Sequence, residues 1–328
     1  MHLTDKDDCR NPGDMMNLLR SLTLLCLLFS QPALALTLHS RHYIQHTDSP
    51  RLPAEQCWLQ QTAQLRVGIL HHDYRPFSMT ASDSRFEGIS ADYLNILTKA
   101  LQKPLMLRRF EDKESALAAL RQGDVDIVNL GNLTLADRDR SGIRLSRRYF
   151  SNTPVFSAPK QRQDPLLTPG QSVATVRGFI DEQAFKRDYP LLSLVTYPSN
   201  VAAFDAVFFG RQDVLLSDIH SMYYLNSERF DKLRRRGEAP PSLASDGFRF
   251  AVSARAPQLL SLINRTLRDV NDITRNLIFS QWNGPIRDMV DNPSDLYDAA
   301  ELAWLRKAPP IKVWLMDDLY PYGVKDYV

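Results

Sequence analysis

The chain has 328 residues, of which 44% are hydrophobic and 24% charged, and its formal net charge is +2. That balance is the composition of an ordinary globular protein and leaves no electrostatic footprint for nucleic acid. The one dense basic run, Arg234-Arg235-Arg236, precedes Gly237 and Pro240-Pro241, so it reads as a solvated turn.

In chain order, Arg20 comes before an apolar run at 22–29, and Pro32 leads into Ala33-Leu34-Ala35. A basic start, a short apolar core and a small-residue cleavage site predict a secretory signal peptide over 1–35, with an N-terminal extension and translation starting at Met1, Met15 or Met16. The run is short for a bilayer span. Cleavage after Ala35 would leave Cys57 as the remaining cysteine, so the exported chain would fold without an internal disulfide. Cys57 is expected to pack beside Trp58 rather than react.

Residues 36–63 read as a linker that ends in a short helix at 53–60. The run 65–70 predicts a buried strand, and 90–102 a helix with Tyr93, Leu94, Leu97 and Leu101 on one face. A second helix over 112–122 stops at Gly123, and 125–130 is again a strand. The pattern then repeats: strand 173–176, helix 181–188, strand 194–196, a helix capped by Ser199, and strand 214–217. A strand at 246–254 and helices at 257–270 and 272–282 complete it, with Pro257 in a first helical turn. Strands alternating with helices predict an α/β fold around a mostly parallel sheet, here in two similar lobes.

The start of this pattern is written twice. Glu55, Trp58, Leu59, Arg66 and Val67 recur in type, at one constant offset, as Glu301, Trp304, Leu305, Lys312 and Val313. The offset is far longer than the roughly 20–50 residues of a solenoid repeat and fits tandem globular domains. The expectation is one domain over 64–284, a second linker over 285–310, and the first strand of another domain over 311–328.

Several segments resemble bacterial extracellular solute-binding proteins of family 3. Leu65-Arg66-Val67-Gly68 with Tyr74-Arg75-Pro76-Phe77 looks like their first strand and ligand loop, and Phe86-Glu87-Gly88-Ile89 with Asp92 like their second signature. Asp126-Ile127-Val128, Leu133-Thr134, Arg138, Ile143 to Ser146 and Tyr149-Phe150 resemble the third, and 210–218, Phe248 to Val252 and Trp282 close the series. The duplicated Glu-x-x-Trp-Leu linker and the signal peptide look like the periplasmic part of virulence-sensor hybrid histidine kinases of the Bvg and Evg type, which carry tandem Venus-flytrap domains.

This resemblance implies a bilobal, type II periplasmic-binding-protein-like fold. Lobe 1 would be 64–155 with 248–284, lobe 2 would be 158–246, and two hinge strands would join them. It also implies a solute between the lobes, an amino acid or small organic acid, with lobe closure as the signal to a downstream kinase or membrane segment. The chain itself would carry no catalytic module. No cofactor, metal or nucleic-acid partner is expected, the location is periplasmic, and a homodimer stays open.

On the family pattern, Arg138 would bind a ligand carboxylate, with Arg140 as its rival, and Asp218 would bind an ammonium or cap the helix after it. Tyr74 and Phe77 would pack on the ligand or in the core, Asn132 and Thr134 would offer polar groups, and Gly178 would line the cleft. The chain departs from the pattern at Phe179, where Ser or Thr is common, at Leu130-Gly131, and at Arg148, where proline is usual. His71-His72-Asp73 lacks a spaced third or fourth ligand and does not read as a metal site. Two other functions compete: a free substrate-binding protein of an amino-acid ABC importer, and a cyclohexadienyl dehydratase-like lyase on the same fold.

Overall fold

The computed structural model describes residues 36–41, 51–81, 84–134, 141–228 and 232–283 and the isolated positions Trp304, Lys307 and Pro309; the side chains of 132–134, Ser245 and Asn283 are not described. The signal peptide expected over 1–35, Arg138, Arg140 and the strand expected over 311–328 lie outside these residues, as does nearly all of the segment 285–310.

Two five-stranded sheets organise the molecule. The first contains β2 (Leu65–Leu70), β5 (Leu105–Phe110), β6 (Ile127–Thr134), β7 (Ile143–Leu145) and β13 (Ser245–Ser253), in the order β5-β2-β6-β13-β7. β2 runs parallel to β5 and β6, while β13 is antiparallel to β6 and β7. The second contains β8 (Pro154–Pro159), β9 (Ser172–Val176), β10 (Ser193–Tyr197), β11 (Val214–Asp218) and β12 (Leu233–Glu238), in the order β10-β9-β11-β8-β12. A small sheet of β1 (Thr37–Leu38), β4 (Arg85–Glu87) and β3 (Met79–Ala81) borders the first. β2 and β11 read as largely apolar runs, and most of their residues are buried.

Helix α1 (Pro53–Gln61) precedes β2, and α2 (Ile89–Leu101) and α3 (Lys113–Gln122) follow it. The Asp112 carboxylate accepts from Ser115 N at 2.7 Å to start α3, and Gly123 ends it in the left-handed conformation. In the second lobe, α4 (Glu182–Asp188) is capped by Asp181 and α5 (Asn200–Phe208) by Ser199, and α6 (Ile219–Glu228) leaves directly from β11. Helices α7 (Pro257–Asp269) and α8 (Asp272–Asn283) return to the first lobe. Each lobe has its own core, one built on Leu65, Ile69, Leu97 and Ile263, the other on Val173, Phe204, Val207 and Leu216. Tyr74 and Tyr224 pack against both.

The α1 segment docks on the first lobe. Glu55, 2% exposed, accepts from Ser261 Oγ at 2.7 Å and Arg265 Nη2 at 2.9 Å, both on α7. Two sequence expectations fail. Arg234, Arg235 and Arg236 lie in β12, an edge strand rather than a turn, and Arg236 donates to the Arg162 carbonyl at 2.6 Å. Charges on an edge strand discourage pairing with another chain. Cys57 is exposed on α1 and not packed away. No helix among the described residues is long and apolar enough to cross a membrane.

Candidate functional site in the cleft

The loop after β2 carries the first half of the site. It turns tightly at Tyr74, whose amide donates to Ser78 O at 2.8 Å and whose carbonyl accepts from Phe77 N at 2.8 Å. Asp73 fixes the turn from outside by accepting from Thr80 N at 2.9 Å. The opening turn of α2 needs acceptors for its free amides. The loop supplies them: Ile89 N donates to Pro76 O at 3.1 Å and Ser90 N to Phe77 O at 2.9 Å. Gly88 allows this approach, since its φ is +120° and a Cβ there would collide with Phe77 O.

The second half is the junction of β11 and α6. Asp218 is 0% exposed and accepts from Ser221 N at 2.7 Å through Oδ1, so it caps α6. Its other oxygen faces the first lobe, where Tyr74 Oη donates to Oδ2 at 2.7 Å. Around this bond the Arg75 peptide is clamped by the second lobe. Arg75 N donates to Asn200 Oδ1 at 3.1 Å, and Arg75 O accepts from Asn200 Nδ2 and Ser221 Oγ, both at 2.6 Å. The Arg75 guanidinium lies 3.6 Å from Asp73 and 3.6 Å from Glu228, bridging the lobes. Burial raises the carboxyl pKa of Asp218, against the bonds from Ser221 and Tyr74 that favour its charged form. Burial, then the neighbouring Asp218 charge, pushes the Tyr74 phenol well above its ordinary value.

Beside the seam a cavity of about 450 Å³ opens between the lobes. Leu70, Tyr74, Leu130 and Gly131 line it from the first lobe, and Val176, Arg177, Gly178, Phe179 and Pro198 from the second. Its size is in the range of small-molecule sites.

The structure places Tyr74 and Gly178 on the cavity wall, with Asp218 buried behind Tyr74 and bonded to it. Phe77 lies under it, 0% exposed, stacked on Phe248 with ring centroids 3.7 Å apart. Asn132 and Thr134 sit on β6, where the backbone pairs with β13, and their side chains are outside the described set, as is all of Arg138. Among the described residues no group of three His, Cys, Asp or Glu side chains could hold a metal ion. His71 lies 4.0 Å from Glu111, and Asp73 is engaged with Thr80.

Sequence reasoning missed Arg75, Asn200 and Ser221. A polar residue in the first turn of an amphipathic helix, as at Asn200, is the signal that pointed there. It is 2% exposed because its amide faces another peptide rather than water.

Comparison with known proteins places this geometry. Residues 65–285 match the family model of bacterial extracellular solute-binding proteins, family 3. The virulence sensor protein BvgS of Bordetella parapertussis is 27% identical over 316 residues, which cover 95% of this chain and 25% of BvgS. The sensor protein EvgS of Escherichia coli K12 is 23% identical over 280 residues, covering 82% of this chain and 22% of EvgS. The chain therefore spans about a quarter of the length of these relatives. The crystal structure of the Bordetella pertussis BvgS periplasmic domain superposes with a TM-score of 0.69 at 26% identity, over 89% of this chain and 56% of that one. The chain belongs to the bacterial extracellular solute-binding proteins, family 3.

Proposed function

We propose that this chain is the periplasmic solute-binding sensory region of a two-component sensor kinase. It takes a small amino-acid-like or organic-acid solute between its lobes and signals by their closure. The observation that carries the reading is the cavity lined from both lobes next to a seam of hydrogen bonds. A solute lodged there touches both halves at once, so its affinity differs between the closed and open forms. Only that difference lets binding shift the balance of states. Similarity to BvgS and EvgS supports placing the domain ahead of a kinase. A signal peptide over 1–35, as the sequence predicts, would export it, and the residues proposed to meet the solute are Tyr74, Gly178, Asp218, Asn132, Thr134 and Arg138.

Thermal-shift screening of the purified chain against small organic acids and amino acids tests it, because a solute that binds only the folded form raises Tm with concentration. A dose-dependent rise for at least one compound is the expected result. No rise for any compound would remove solute binding from the account.

A further inference from the structure

We propose that Tyr74 and Phe179 form a built-in plug that excludes zwitterionic α-amino acids from the cleft and so selects a solute without an α-ammonium group. This rests on reading the interlobe space as a solute site, and it narrows the class of solute.

A buried ammonium needs an anion to receive its protons. Asp218, behind Tyr74 rather than on the cavity wall, is the buried carboxylate next to this crevice among the described residues, and the chain itself already donates to both of its oxygens. Oδ1 is taken by the amide of its own helix, and Oδ2 by the Tyr74 phenol at 2.7 Å. An O–H donated to that oxygen is the bond an ammonium N–H would have made. The phenol is held in place: its ring stacks on Phe179 with centroids 6.3 Å apart and planes at 28°, and meets Phe248 at 5.9 Å. The next peptide is clamped by Asn200 and Ser221. For an ammonium to reach Asp218, Tyr74 must break its own bond and leave this ring contact.

Phe179 completes the plug from the second lobe. It is 3% exposed, lines the cavity and follows Gly178, whose φ is +72°. A phenyl ring there offers no hydrogen bond to a ligand carboxylate, while its face fixes the phenol. The other carboxylates at the cavity are not vacant buried anions. Asp73 accepts from Thr80 N and faces Arg75, Asp112 accepts from Ser115 N, and Glu111 and Glu114 are exposed at the rim. The remaining walls pair apolar Leu70, Leu130, Val176 and Pro198 with His72, Lys113 and Arg177, which suits an apolar body carrying an anionic group.

The test compares the wild-type chain with Tyr74→Ala and Tyr74→Phe by thermal shift against each L-amino acid. The wild type should show no amino-acid-dependent rise in Tm. At least one Tyr74 variant should bind an amino acid with an apparent affinity about tenfold or more above wild type, the scale of one charge-assisted hydrogen bond. Adding Asp218→Asn to that variant should abolish the gain. Tyr74→Phe keeps the ring and guards against a loss of folding, which circular dichroism checks for every variant. The plug is overturned if wild type binds an amino acid and loses it on Asp218→Asn, or if folded Tyr74→Phe and Tyr74→Ala both gain nothing. Organic acids run on wild type separate the two ideas. If no organic acid or amino acid binds wild type but a Tyr74 variant gains one, the solute reading fails and the plug stands. An amino acid held by wild type through Asp218 leaves the solute reading and removes the plug.

Discussion

Asp92 and Asp218 are both carboxylates at 0% exposure, yet they join different things. Asp92, on α2, gathers partners from one side of the molecule. Ser40 Oγ donates to it at 2.7 Å, Arg41 N at 3.0 Å and Trp282 Nε1 at 2.6 Å, and the Arg41 guanidinium lies 3.8 Å over the Trp282 ring. It fastens the N-terminal segment to α8, the helix by which the chain leaves the domain. Asp218 instead is held by the first turn of its own helix, through Ser221, and by Tyr74 from the opposite lobe. Moving the lobes leaves Ser40, Arg41 and Trp282 on Asp92 and strips Tyr74 from Asp218. The first carboxylate is therefore a rivet and the second a gate, although burial alone would not distinguish them.

The comparison breaks most visibly at the rivet. Asp92→Ala leaves three donors facing a gap, and the expected loss is about 4 kcal/mol of unfolding free energy, read from urea denaturation. A loss no larger than that of Tyr74→Phe would erase the distinction. Gly88→Ala strikes the loop that presents Tyr74. With φ at +120° and a Cβ position 2.7 Å from Pro76 O, it should cost about 3 kcal/mol and displace the loop. An unchanged denaturation midpoint would show that the loop does not depend on this close approach.

His220 sharpens the gate side. It lies two residues after Asp218 and is caged by Phe77, Phe150 and Phe279, the last of these on α8, with a buried Nδ1 that has no hydrogen-bond partner among the described residues. Burial lowers its pKa from 6.5 to about 4, so the folded form favours the neutral ring. Its contribution to stability is full above pH 6.5 and is lost as pH falls toward about 4. Between pH 7 and pH 5 that loss is about 2 kcal/mol by linkage. The raised pKa of Asp218 acts with the opposite sign, favouring the folded form as pH falls. The informative quantity is thus the difference between wild type and His220→Phe, whose stability should fall less on acidification. Parallel curves would contradict the assignment. Tyr74→Phe has the smallest stability effect, about 1.5 kcal/mol for one lost hydrogen bond to a carboxylate, with its main consequence in how closely the lobes sit.

Much of the architecture was legible in the sequence. The β2 and β11 runs and the α2 face are strongly patterned, and Ser199 and Gly123 mark helix ends by chemistry that acts within a turn. The edge strands β5 and β12 were not. Leu105–Phe110 mixes arginines into its run, and Leu233–Glu238 carries three consecutive arginines. Edge positions tolerate residues that a central strand rejects, so local pattern is silent there. At the site, resemblance pointed to Tyr74 and Asp218, but their direct bond joins residues far apart in the chain and depends on lobe packing that no local signal encodes. Phe77, named beside Tyr74, stacks in the core, since neighbouring residues in a tight turn leave in different directions.

The most direct measurement is small-angle X-ray scattering of the solute-free chain, comparing wild type with Tyr74→Ala and Asp218→Asn. The account predicts a compact wild type and a larger radius of gyration in both variants, because each weakens the Tyr74–Asp218 bond in the interlobe seam. A wild type already as extended as the variants would contradict the claim that the chain closes its own cleft.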